Sequence, residues 1–416
     1  VDVAIIGAGI VGNAFAEYLS RQLSGRNILV LDQGRIPGDN QSARNLGVVH
    51  VGVYYNQQES PLRAIFCGEG NVLLYELCRE HDLPIRKTGK LIVAQNMQDE
   101  TMVDMLLARG RENNVPGICK IAGEEIERYE PNVRGVSALW LPSSGIVEPT
   151  SVVKKLRSLA EQAGVQYFER AKVTHIDASA DEFVVHVSRG GRGEDFTFST
   201  KYLINAAGLY SDEVARMVNP AFPYHVFPVR GEAVKYYADQ PWSKVSHNIY
   251  PAPVFFAKPD GTRQMTLGVH LTPTFAMDAQ GNYIKESTGE YAFGRTVTVG
   301  PLSVTKLRGK PIDKNNCGRG LRNTKAFYRR IRKMFPGIRK EDMEHHQAGV
   351  QAVLAETKDF VFQHDDRYHN METLKHQPGP AQKRIALETL EIYAPIAARL
   401  GMGKLKGQLE DAAFPY

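Results

Sequence analysis

The length, composition and charge of the chain exclude several classes of protein. Its 416 residues are 43% hydrophobic and 23% charged, close to the soluble globular average, and no run reaches the roughly 18 apolar residues of a membrane-spanning helix. The formal net charge of +5 is spread along the sequence, which does not indicate a nucleic-acid partner. These values argue against a disulfide-stapled miniprotein, a disordered chain and an integral membrane protein.

The first 32 residues predict a strand, a tight turn, a helix and a second strand. Gly7, Gly9 and Gly12 form the pattern GxGxxG where the first strand passes into the helix. Glycines at this spacing permit the turn, let a pyrophosphate approach the backbone and let the helix pack against the strand. Asp32 ends the second strand, where its carboxylate can accept hydrogen bonds from a ribose. The whole pattern predicts a Rossmann-type dinucleotide-binding unit.

Two later segments have the apolar spacing of helices that pack against a core. Segment 60–82 begins with Ser60 as a cap and Pro61 at the first helical position, and segment 150–164 runs from the cap Thr150 to Gly164. The predicted core faces are Leu62, Ile65, Phe66, Leu73 and Leu77 in the first helix, and Val152, Val153, Leu156, Leu159 and Ala160 in the second.

The remaining strand-like runs predict a second domain. Residues 89–94 and several runs within 227–271 are bounded by proline and glycine, which favours a mainly antiparallel sheet. The later segment 201–217 has a buried strand, a small-residue turn and a helix that starts near Ser211. We interpret it as the chain returning to the dinucleotide domain.

The choice between a nicotinamide and a flavin cofactor depends on the rest of the chain. No second GxGxxG follows a strand. A flavoprotein reduced by a nicotinamide cofactor usually needs two dinucleotide sites, whereas one reduced by its organic substrate needs one. The sequence therefore favours FAD, with the substrate as the hydride donor.

Several separated motifs resemble one known family. They occur in order as GAGIVG at the first turn, SARNLGVVHVGVYY, TGKLIVA, NAAGLYSD, PVRGE, IYPAP and LGVHLT. The chain resembles the FAD-dependent D-amino-acid-oxidase-like superfamily (DAO), and within it the L-2-hydroxyglutarate dehydrogenase/oxidase branch. The resemblance spans about residues 1–360.

The resemblance implies an α/β fold with two discontinuous domains. A Rossmann-like, glutathione-reductase-like FAD-binding domain would comprise residues 1–88, 147–220 and 341–416. A mainly antiparallel α+β substrate domain would comprise residues 89–146 and 221–340.

The resemblance also implies a set of cofactor-binding residues. The first turn and Asp32 would hold the ADP half of FAD, and Val173 would contact adenine through its backbone. Small residues after a strand would line the flavin because they let the backbone approach closely. The implied set is Gly7, Gly9, Gly12, Asp32, Ser42, Arg44, Asn45, Val173, Ala206, Gly208 and Gly379.

Oxidation of a hydroxy or amino acid needs a proton acceptor and a partner for the carboxylate. His50 and His270 are the candidate bases, because imidazole titrates near neutral pH; each could instead be a core histidine. Arg230 and Lys90 are candidate carboxylate partners, with Tyr55 as a further hydroxyl. An ordinary salt bridge for Arg230 and a solvated strand position for Lys90 are the alternatives.

The sequence departs from the branch at three places. Gln351 stands where the branch usually has arginine, and Pro273 stands where a cation is common, which puts a dicarboxylate substrate in question. Near the C-terminus, residues 376–390 replace the usual turn into a helix that would approach the flavin, although Gly379 and its flanking prolines still suit such a turn.

Other signals do not change this interpretation. The four cysteines form no CxxC pair, and neither the pair His345 and His346 nor the cluster at 364–370 has metal-ligand spacing, so no metal site is predicted. The basic run 324–340 is most simply a solvated helix face, with a membrane contact as the alternative. We expect a cytoplasmic protein, with peripheral contact with the inner membrane as the alternative.

The sequence therefore predicts an FAD-dependent enzyme that oxidises a small 2-hydroxy acid, similar to L-2-hydroxyglutarate, to the 2-oxo acid. Hydride would pass to flavin N5, and oxygen or a quinone would then accept the electrons. An amine or amino-acid oxidase of the same fold and a non-catalytic flavoprotein are the alternatives.

Overall fold

The structure is a computed structural model, and it describes residues 1–23, 25–36, 38–179, 181–191, 193–257, 263–307, 309–315, 324–354 and 356–362. Within these residues the helices are α1 (Ile10–Gln22), α2 (Pro61–Glu80), α3 (Met97–Glu112), α4 (Ile126–Tyr129), α5 (Pro149–Gln162), α6 (Ser211–Val218) and α7 (Lys325–Ile331). The strands are β1 (Val3–Ile6), β2 (Ile28–Leu31), β3 (Val48–Val49), β4 (Ile85–Arg86), β5 (Lys90–Ala94), β6 (Cys119–Ala122), β7 (Ser137–Leu141), β8 (Gly145–Val147), β9 (Gln166–Phe168), β10 (Lys172–Ala178), β11 (Phe183–Ser188), β12 (Phe196–Thr200), β13 (Tyr202–Asn205), β14 (Val226–Tyr237), β15 (Asn248–Pro251), β16 (Val254–Ala257), β17 (Arg263–Thr266), β18 (His270–Phe275), β19 (Phe293–Val304), β20 (Lys306–Leu307), β21 (Lys310–Pro311) and β22 (Met343–Leu354).

The chain forms two compact units, each built from separate stretches of sequence. Unit 1 comprises Val1–Ala43, Thr150–Phe227 and Ala352–Tyr416, and unit 2 comprises Arg44–Pro149 and Pro228–Gln351. The predicted FAD-binding domain includes residues 44–88 and 341–351, whereas the structure groups both stretches with unit 2. For residues 44–88 the reason is strand pairing, because β3 and β4 both pair with β8 of that unit.

Unit 1 contains the predicted dinucleotide-binding strands. β1 and β2 are four-residue apolar runs with every side chain buried. They form a parallel sheet in the order β13-β1-β2-β9, so the later segment returns to pair with β1 as predicted. Continuous burial along both strands is typical of a parallel sheet covered on its two faces. A second, antiparallel sheet in this unit has the order β10-β11-β12.

Unit 2 is organised around one large sheet. Its order is β22-β14-β19-β18-β15-β5-β7-β6. The pairings described along this sheet are antiparallel, except that β15 and β5 run parallel. This confirms the predicted fold class, an α/β dinucleotide unit with a mainly antiparallel second unit.

The predicted core face of α2 is wrong at two of its five positions, while Leu62, Phe66 and Leu77 are half-buried. Ile65 and Leu73 are predicted core residues, yet their side chains are 44% and 49% exposed. The helix packs instead through its buried Ala64 and Cys78. Asn71, on the same side, donates side-chain hydrogen bonds to two backbone carbonyls of unit 2. Apolar spacing misidentified this face because small and polar residues make the contact.

The other predicted helix face is confirmed. In α5, Val152, Val153, Leu156 and Ala160 are buried. The helix begins one residue before the predicted cap, at Pro149, whose fixed φ suits a first helical position.

The basic run forms α7 and the turns that follow it. Phe327, Ile331 and Phe335 are all buried in the core of unit 2, while Arg329 and Arg330 are exposed. The apolar side chains of this helix are therefore used inside the protein. Among the described helices, none combines the length and the apolar character needed to cross a bilayer.

Candidate functional site

The turn between β1 and α1 accepts only glycine at two positions. Gly7 has φ +106°, in the left-handed region, and a Cβ built on it would collide with the carbonyl oxygen of Ala206. A Cβ on Gly12 would collide with the carbonyl oxygen of Gly7. The three backbone segments therefore approach more closely than any side chain would allow.

Polar side chains complete this turn. Asp32 accepts hydrogen bonds through Oδ2 from the Ala8 amide at 2.8 Å and through Oδ1 from the Gly34 amide at 2.6 Å. Ser42 Oγ accepts from the Ile10 amide at 2.9 Å, so it caps the first turn of α1. Gly9 itself offers no side-chain cap to this helix. Both side chains are thus held in place by backbone amides.

The other predicted cofactor residues lie in different settings. Val173 is buried in β10, and Ala206 and Gly208 follow β13 in unit 1. Arg44 and Asn45 belong to unit 2, where the Asn45 carbonyl accepts a hydrogen bond at 2.9 Å from a side chain of β22. Gly379, the turn at 376–390 and the cluster at 364–370 lie outside the described residues.

The residues of unit 1 fit the ADP half of FAD. The close approach at Gly7 and Gly12 brings the end of β1 against the start of α1, where the helix dipole would favour a pyrophosphate. Gly7, Gly9 and Gly12 would lie along the pyrophosphate, and Asp32 is placed at the end of β2 for a ribose hydroxyl.

The candidate catalytic residues of unit 2 form a buried cluster around Lys90. Lys90 is fully buried at the start of β5, and its Nζ lies 3.4 Å from His50 Nδ1. The ring centroid of Tyr250 lies 4.3 Å from the same Nζ, and that of Tyr54 lies 5.6 Å from it. His270 stacks on Tyr250 with 3.7 Å between ring centroids. We define these five residues as the lysine cluster.

Strand order explains why distant residues meet here. β15 lies between β5 and β18, with Asn248 opposite Lys90 and Ile249 opposite Leu271. Tyr250 and His270 are thereby brought to neighbouring strands of one sheet. His50 directly follows β3.

Burial controls the charges of the lysine cluster. It lowers the pKa of Lys90 to about 7, although the Cys67 thiol acts in the opposite direction. Burial, together with the Lys90 charge, lowers the pKa of His270 to about 3, while the Gly268 backbone opposes this shift. The same two causes, with His270 as a third, hold the pKa of His50 well below its usual value. Both imidazoles are therefore neutral at physiological pH.

The phenols and the nearby thiol stay protonated. Burial raises the pKa of Tyr54 and Tyr250 well above the usual tyrosine value. It raises the pKa of Cys67 to about 11, so this thiol is not a nucleophile at neutral pH. Lys90 is thus the group of the cluster that can carry a positive charge near neutral pH, and no carboxylate of the described residues forms an ion pair with it.

Several buried polar atoms of unit 2 lack a hydrogen-bond partner in the described part of the chain. Within the described residues, Tyr54 Oη, His270 Nδ1 and Thr272 Oγ1 have no hydrogen-bond partner. Unpaired buried polar atoms are costly, and in native proteins they often mark a ligand site. A polar ligand could satisfy donors and acceptors that the protein leaves open.

Arg230 differs from Lys90 as a candidate carboxylate partner. It is also buried, but its Nε donates to Oε1 of buried Glu232 at 3.1 Å. A carboxylate of the protein therefore already offsets its charge. Tyr55 is half-buried and its pKa is raised by burial and by the adjacent Cys67.

Sequence reasoning missed the two tyrosines nearest Lys90. Tyr54 precedes the predicted Tyr55. The sequence pattern of this segment does not show which of the two adjacent tyrosines faces the site. Tyr250 lies in the motif IYPAP, which was used as a family marker without a role for its phenol. A buried lysine in an apolar strand was the signal that could have prompted a search for aromatic neighbours.

The two departures from the branch lie in different environments. Pro273 is buried in β18, whereas Gln351 is exposed in β22 at the end of unit 2. Neither supplies a cation to the lysine cluster.

Comparisons with known proteins agree with the geometry of both units. The profile of the DAO family, described as FAD dependent oxidoreductase, matches residues 2–379. The chain belongs to this family. FAD is therefore its cofactor, and the enzyme is an FAD-dependent oxidoreductase.

Two curated relatives of this oxidoreductase are both named as L-2-hydroxyglutarate dehydrogenases. The chain is 30% identical to "L-2-hydroxyglutarate dehydrogenase" of Indibacter alkaliphilus, over 84% of this chain and 87% of that protein. It is 30% identical to "L-2-hydroxyglutarate dehydrogenase, mitochondrial" of Caenorhabditis elegans, over 87% of this chain and 84% of that protein.

Solved structures share the fold of this oxidoreductase. L-alpha-glycerophosphate oxidase from Mycoplasma pneumoniae, with FAD bound, has a TM-score of 0.68 at 22% identity and covers 87% of this chain and 85% of its own. Glycine oxidase from Geobacillus kaustophilus has a TM-score of 0.67 at 19% identity, covering 88% and 86%. At these identities the likeness concerns the fold alone.

Proposed function

We propose that the enzyme oxidises a small 2-hydroxy acid, similar to L-2-hydroxyglutarate, to the corresponding 2-oxo acid. The observation that carries the proposal is Lys90, a fully buried lysine that lacks an ion-pair partner among the described residues and lies beside two neutral histidines. A lysine can bind a carboxylate, and a neutral histidine can accept a hydroxyl proton.

The energetics of Lys90 support a carboxylate ligand. An unpaired buried ammonium is costly, and its lowered pKa expresses that cost. A substrate carboxylate beside Nζ would stabilise the charged form and raise its pKa. Tyr54 Oη and Thr272 Oγ1 could donate further hydrogen bonds to the ligand, since both atoms lack a partner in the described part of the chain.

The names of the relatives support the hydroxy acid over other substrates. Two proteins matched over more than four fifths of their length are called L-2-hydroxyglutarate dehydrogenases. When bound, FAD supplies the acceptor for the hydride and its two electrons. The residues of the lysine cluster would bind the carboxylate, orient the hydroxyl and remove its proton.

L-2-hydroxyglutarate has a second carboxylate, which would need a binding partner of its own. Lys90 can meet one carboxylate, whereas Arg230 already donates to Glu232 and Gln351 carries no charge. We therefore propose a 2-hydroxy acid as the class, with L-2-hydroxyglutarate as the first member to test against shorter monocarboxylates.

For the electron acceptor we propose oxygen or a quinone. The apolar side chains of α7 are buried in unit 2, so a membrane contact at the basic run would be electrostatic. Oxygen consumption, compared with anaerobic reduction of a soluble quinone, distinguishes the two acceptors.

The experiment that tests the function is anaerobic mixing of the FAD-loaded enzyme with candidate substrates. Bleaching of the oxidised flavin by a 2-hydroxy acid, with formation of the 2-oxo acid and no ammonia, is expected. Bleaching by amino acids with release of ammonia would replace the proposal with an amino-acid oxidase. Bound FAD that no substrate bleaches would leave a non-catalytic flavoprotein.

A matched pair of lysine variants tests the carboxylate partner. Lys90→Met should weaken substrate binding, read from the concentration dependence of flavin bleaching, by about 10- to 150-fold, since hydrogen bonds to charged groups contribute about 1.5–3 kcal/mol. Lys120→Met in β6 of the same sheet is the control, because Lys120 pairs with Glu100 and Asp104 on the surface. Equal substrate affinity in the two variants would contradict the role of Lys90.

A further inference from the structure

The two histidines of the lysine cluster differ at Nδ1. His50 Nδ1 lies 3.4 Å from Lys90 Nζ, whereas His270 Nδ1 has no hydrogen-bond partner among the described residues. A lysine ammonium has three N–H donors and no acceptor, so in its charged form Lys90 must donate and His50 Nδ1 must accept. A neutral imidazole that accepts at Nδ1 carries its hydrogen on Nε2.

We propose that the two histidines have separate roles: Lys90 holds His50 as a hydrogen-bond donor through Nε2, and His270 Nδ1 accepts the proton of the substrate hydroxyl. This inference rests on the proposed function. His50 is then a donor to a substrate oxygen, His270 is the general base, and Lys90 also acts as a positioning residue for His50.

The step balances with the cofactor as the oxidant. The hydroxyl O–H bond breaks, the proton moves to His270 Nδ1, and the electron pair of that bond forms the second carbon–oxygen bond. The hydrogen on the same carbon would leave as a hydride with both electrons of its C–H bond, and FAD, when bound, would accept it. No other co-reactant is needed.

The charges that face the two imidazoles support this assignment. Lys90 acts on both imidazoles, and His270 also acts on His50. The ionisable groups next to these are the phenols of Tyr54, Tyr55 and Tyr250, the thiol of Cys67 and the Arg63 guanidinium, which acts on Tyr55. Burial keeps the phenols and the thiol neutral, and no carboxylate of the described chain acts on either imidazole. His270 is therefore an unprotonated acceptor before substrate binds.

Substrate binding should make His270 a stronger base. Lys90 is the second cause, after burial, of the low pKa of His270. A carboxylate beside Lys90 offsets that positive charge, so the imidazolium formed by proton transfer is less disfavoured. The same carboxylate keeps Lys90 charged, which maintains its donation to His50.

The geometry of His270 is suited to this role. Its ring stacks on Tyr250 with an interplanar angle of 12°, and only 5% of the residue is exposed. The stack covers one face of the ring, so both ring nitrogens lie along its edge, with Nδ1 buried and without a partner among the described residues.

Glutamine variants distinguish a donor from a base. Glutamine can place an amide N–H near the position of His Nε2 but cannot take up a proton at neutral pH. In anaerobic mixing with the 2-hydroxy acid, His50→Gln should slow flavin reduction by at most about tenfold. His270→Gln should slow it by about 10²–10⁴-fold, the usual contribution of a general base. His186→Gln, at an exposed histidine of β11, is the control for the substitution.

A second readout does not depend on turnover. Long-range ¹⁵N NMR of the FAD-loaded enzyme reports which nitrogen of each histidine carries hydrogen. His50 should carry it on Nε2, and Lys90→Met should remove this preference.

The outcomes separate the inference from the proposed function. His50→Gln as slow as His270→Gln, His270→Gln within tenfold of the wild type, or His50 with its hydrogen on Nδ1 would each overturn the inference. A wild-type flavin that no hydroxy acid reduces would overturn the proposed function. The NMR result would then still decide whether Lys90 sets the tautomer of His50.

Discussion

The glycine turn of unit 1 and the lysine cluster of unit 2 prepare for their ligands in opposite ways. The turn removes side chains, so that backbone segments meet at distances only Gly7 and Gly12 allow. The cluster buries ionisable side chains and leaves Lys90 without an acid partner in the described chain. The comparison teaches that one region binds through the shape and dipoles of its backbone. The other binds through a buried lysine that has no acid partner in the described chain and that a ligand carboxylate can pair with.

Substitution of Arg230 should have the largest effect. It tests whether a buried cation that has an acid partner behaves differently from Lys90. Arg230→Met should lower the free energy of unfolding by about 3–5 kcal/mol, since it removes the buried positive charge that lies 3.1 Å from the buried Glu232 carboxylate. Chemical denaturation measures the change, and adding Glu232→Met should restore most of the loss.

The control for Arg230 is an exposed ion pair on the neighbouring strand. Arg295 of β19 pairs with Asp239, and 81% of the Arg295 side chain is exposed. Arg295→Met should change stability by about 1 kcal/mol or less. A similar loss in both arginine variants would show that burial is not the deciding factor.

Lys90→Met should act in the opposite direction to Arg230→Met. Replacing an unpaired buried ammonium with an apolar side chain should stabilise the substrate-free enzyme by about 1–4 kcal/mol at pH 6. Destabilisation at this pH would mean that Lys90 has a stabilising partner and that its buried charge is not unpaired.

The pH dependence of this gain follows from the pKa of Lys90. That pKa is about 7 in the folded protein, below the ordinary lysine value of 10.5. Between these values the unfolded chain binds the proton and the native state does not, so native wild-type stability rises with pH. The advantage of Lys90→Met should therefore be largest below pH 7 and shrink as the pH rises towards 10.5. Denaturation midpoints of both proteins from pH 6 upward measure the difference.

Gly12→Ala tests the shape of the turn in unit 1. The added Cβ collides with a backbone carbonyl, and overpacking of this kind costs about 1–3 kcal/mol, so FAD should bind at least about tenfold more weakly. The amount of flavin released on dilution measures this loss of FAD affinity. Gly68→Ala in α2 is the control, because a Cβ there meets nothing within 4 Å. Full FAD retention in Gly12→Ala would show that the turn can relax.

Ser42→Ala should have the smallest effect. It removes the cap on the Ile10 amide and should cost about 0.5–2 kcal/mol of stability, with a modest loss of FAD affinity. Thermal unfolding with and without added FAD separates the two effects. Ser42→Thr, which keeps the hydroxyl, should behave like the wild type, and a loss in Thr equal to that in Ala would contradict the capping role.

The predictability of the two regions differs for a physical reason. The glycine turn and Asp32 lie within one continuous segment, and the spacing of residues along that segment predicts its local structure. The chemical requirements of the reaction pointed to His50, His270 and Lys90 within the matched motifs, and the structure brings these residues together, although their roles remain predictions. The sequence did not reveal that Arg230 donates to Glu232, two residues along the same strand, or that Tyr54 rather than Tyr55 lies under Lys90.

The sequence by itself determined the βαβ unit, because short-range apolar patterns and glycine spacing encode it. The choice of FAD followed from the single GxGxxG, and the α/β class with two domains followed from the family resemblance. Only the tertiary structure decided which side of α2 is buried, since Ala64 and Asn71 make contacts that apolar spacing does not report. It also decided the charge state of the lysine cluster. A pKa depends on burial and on neighbours from other strands, and those neighbours meet only after the sheet of unit 2 has formed.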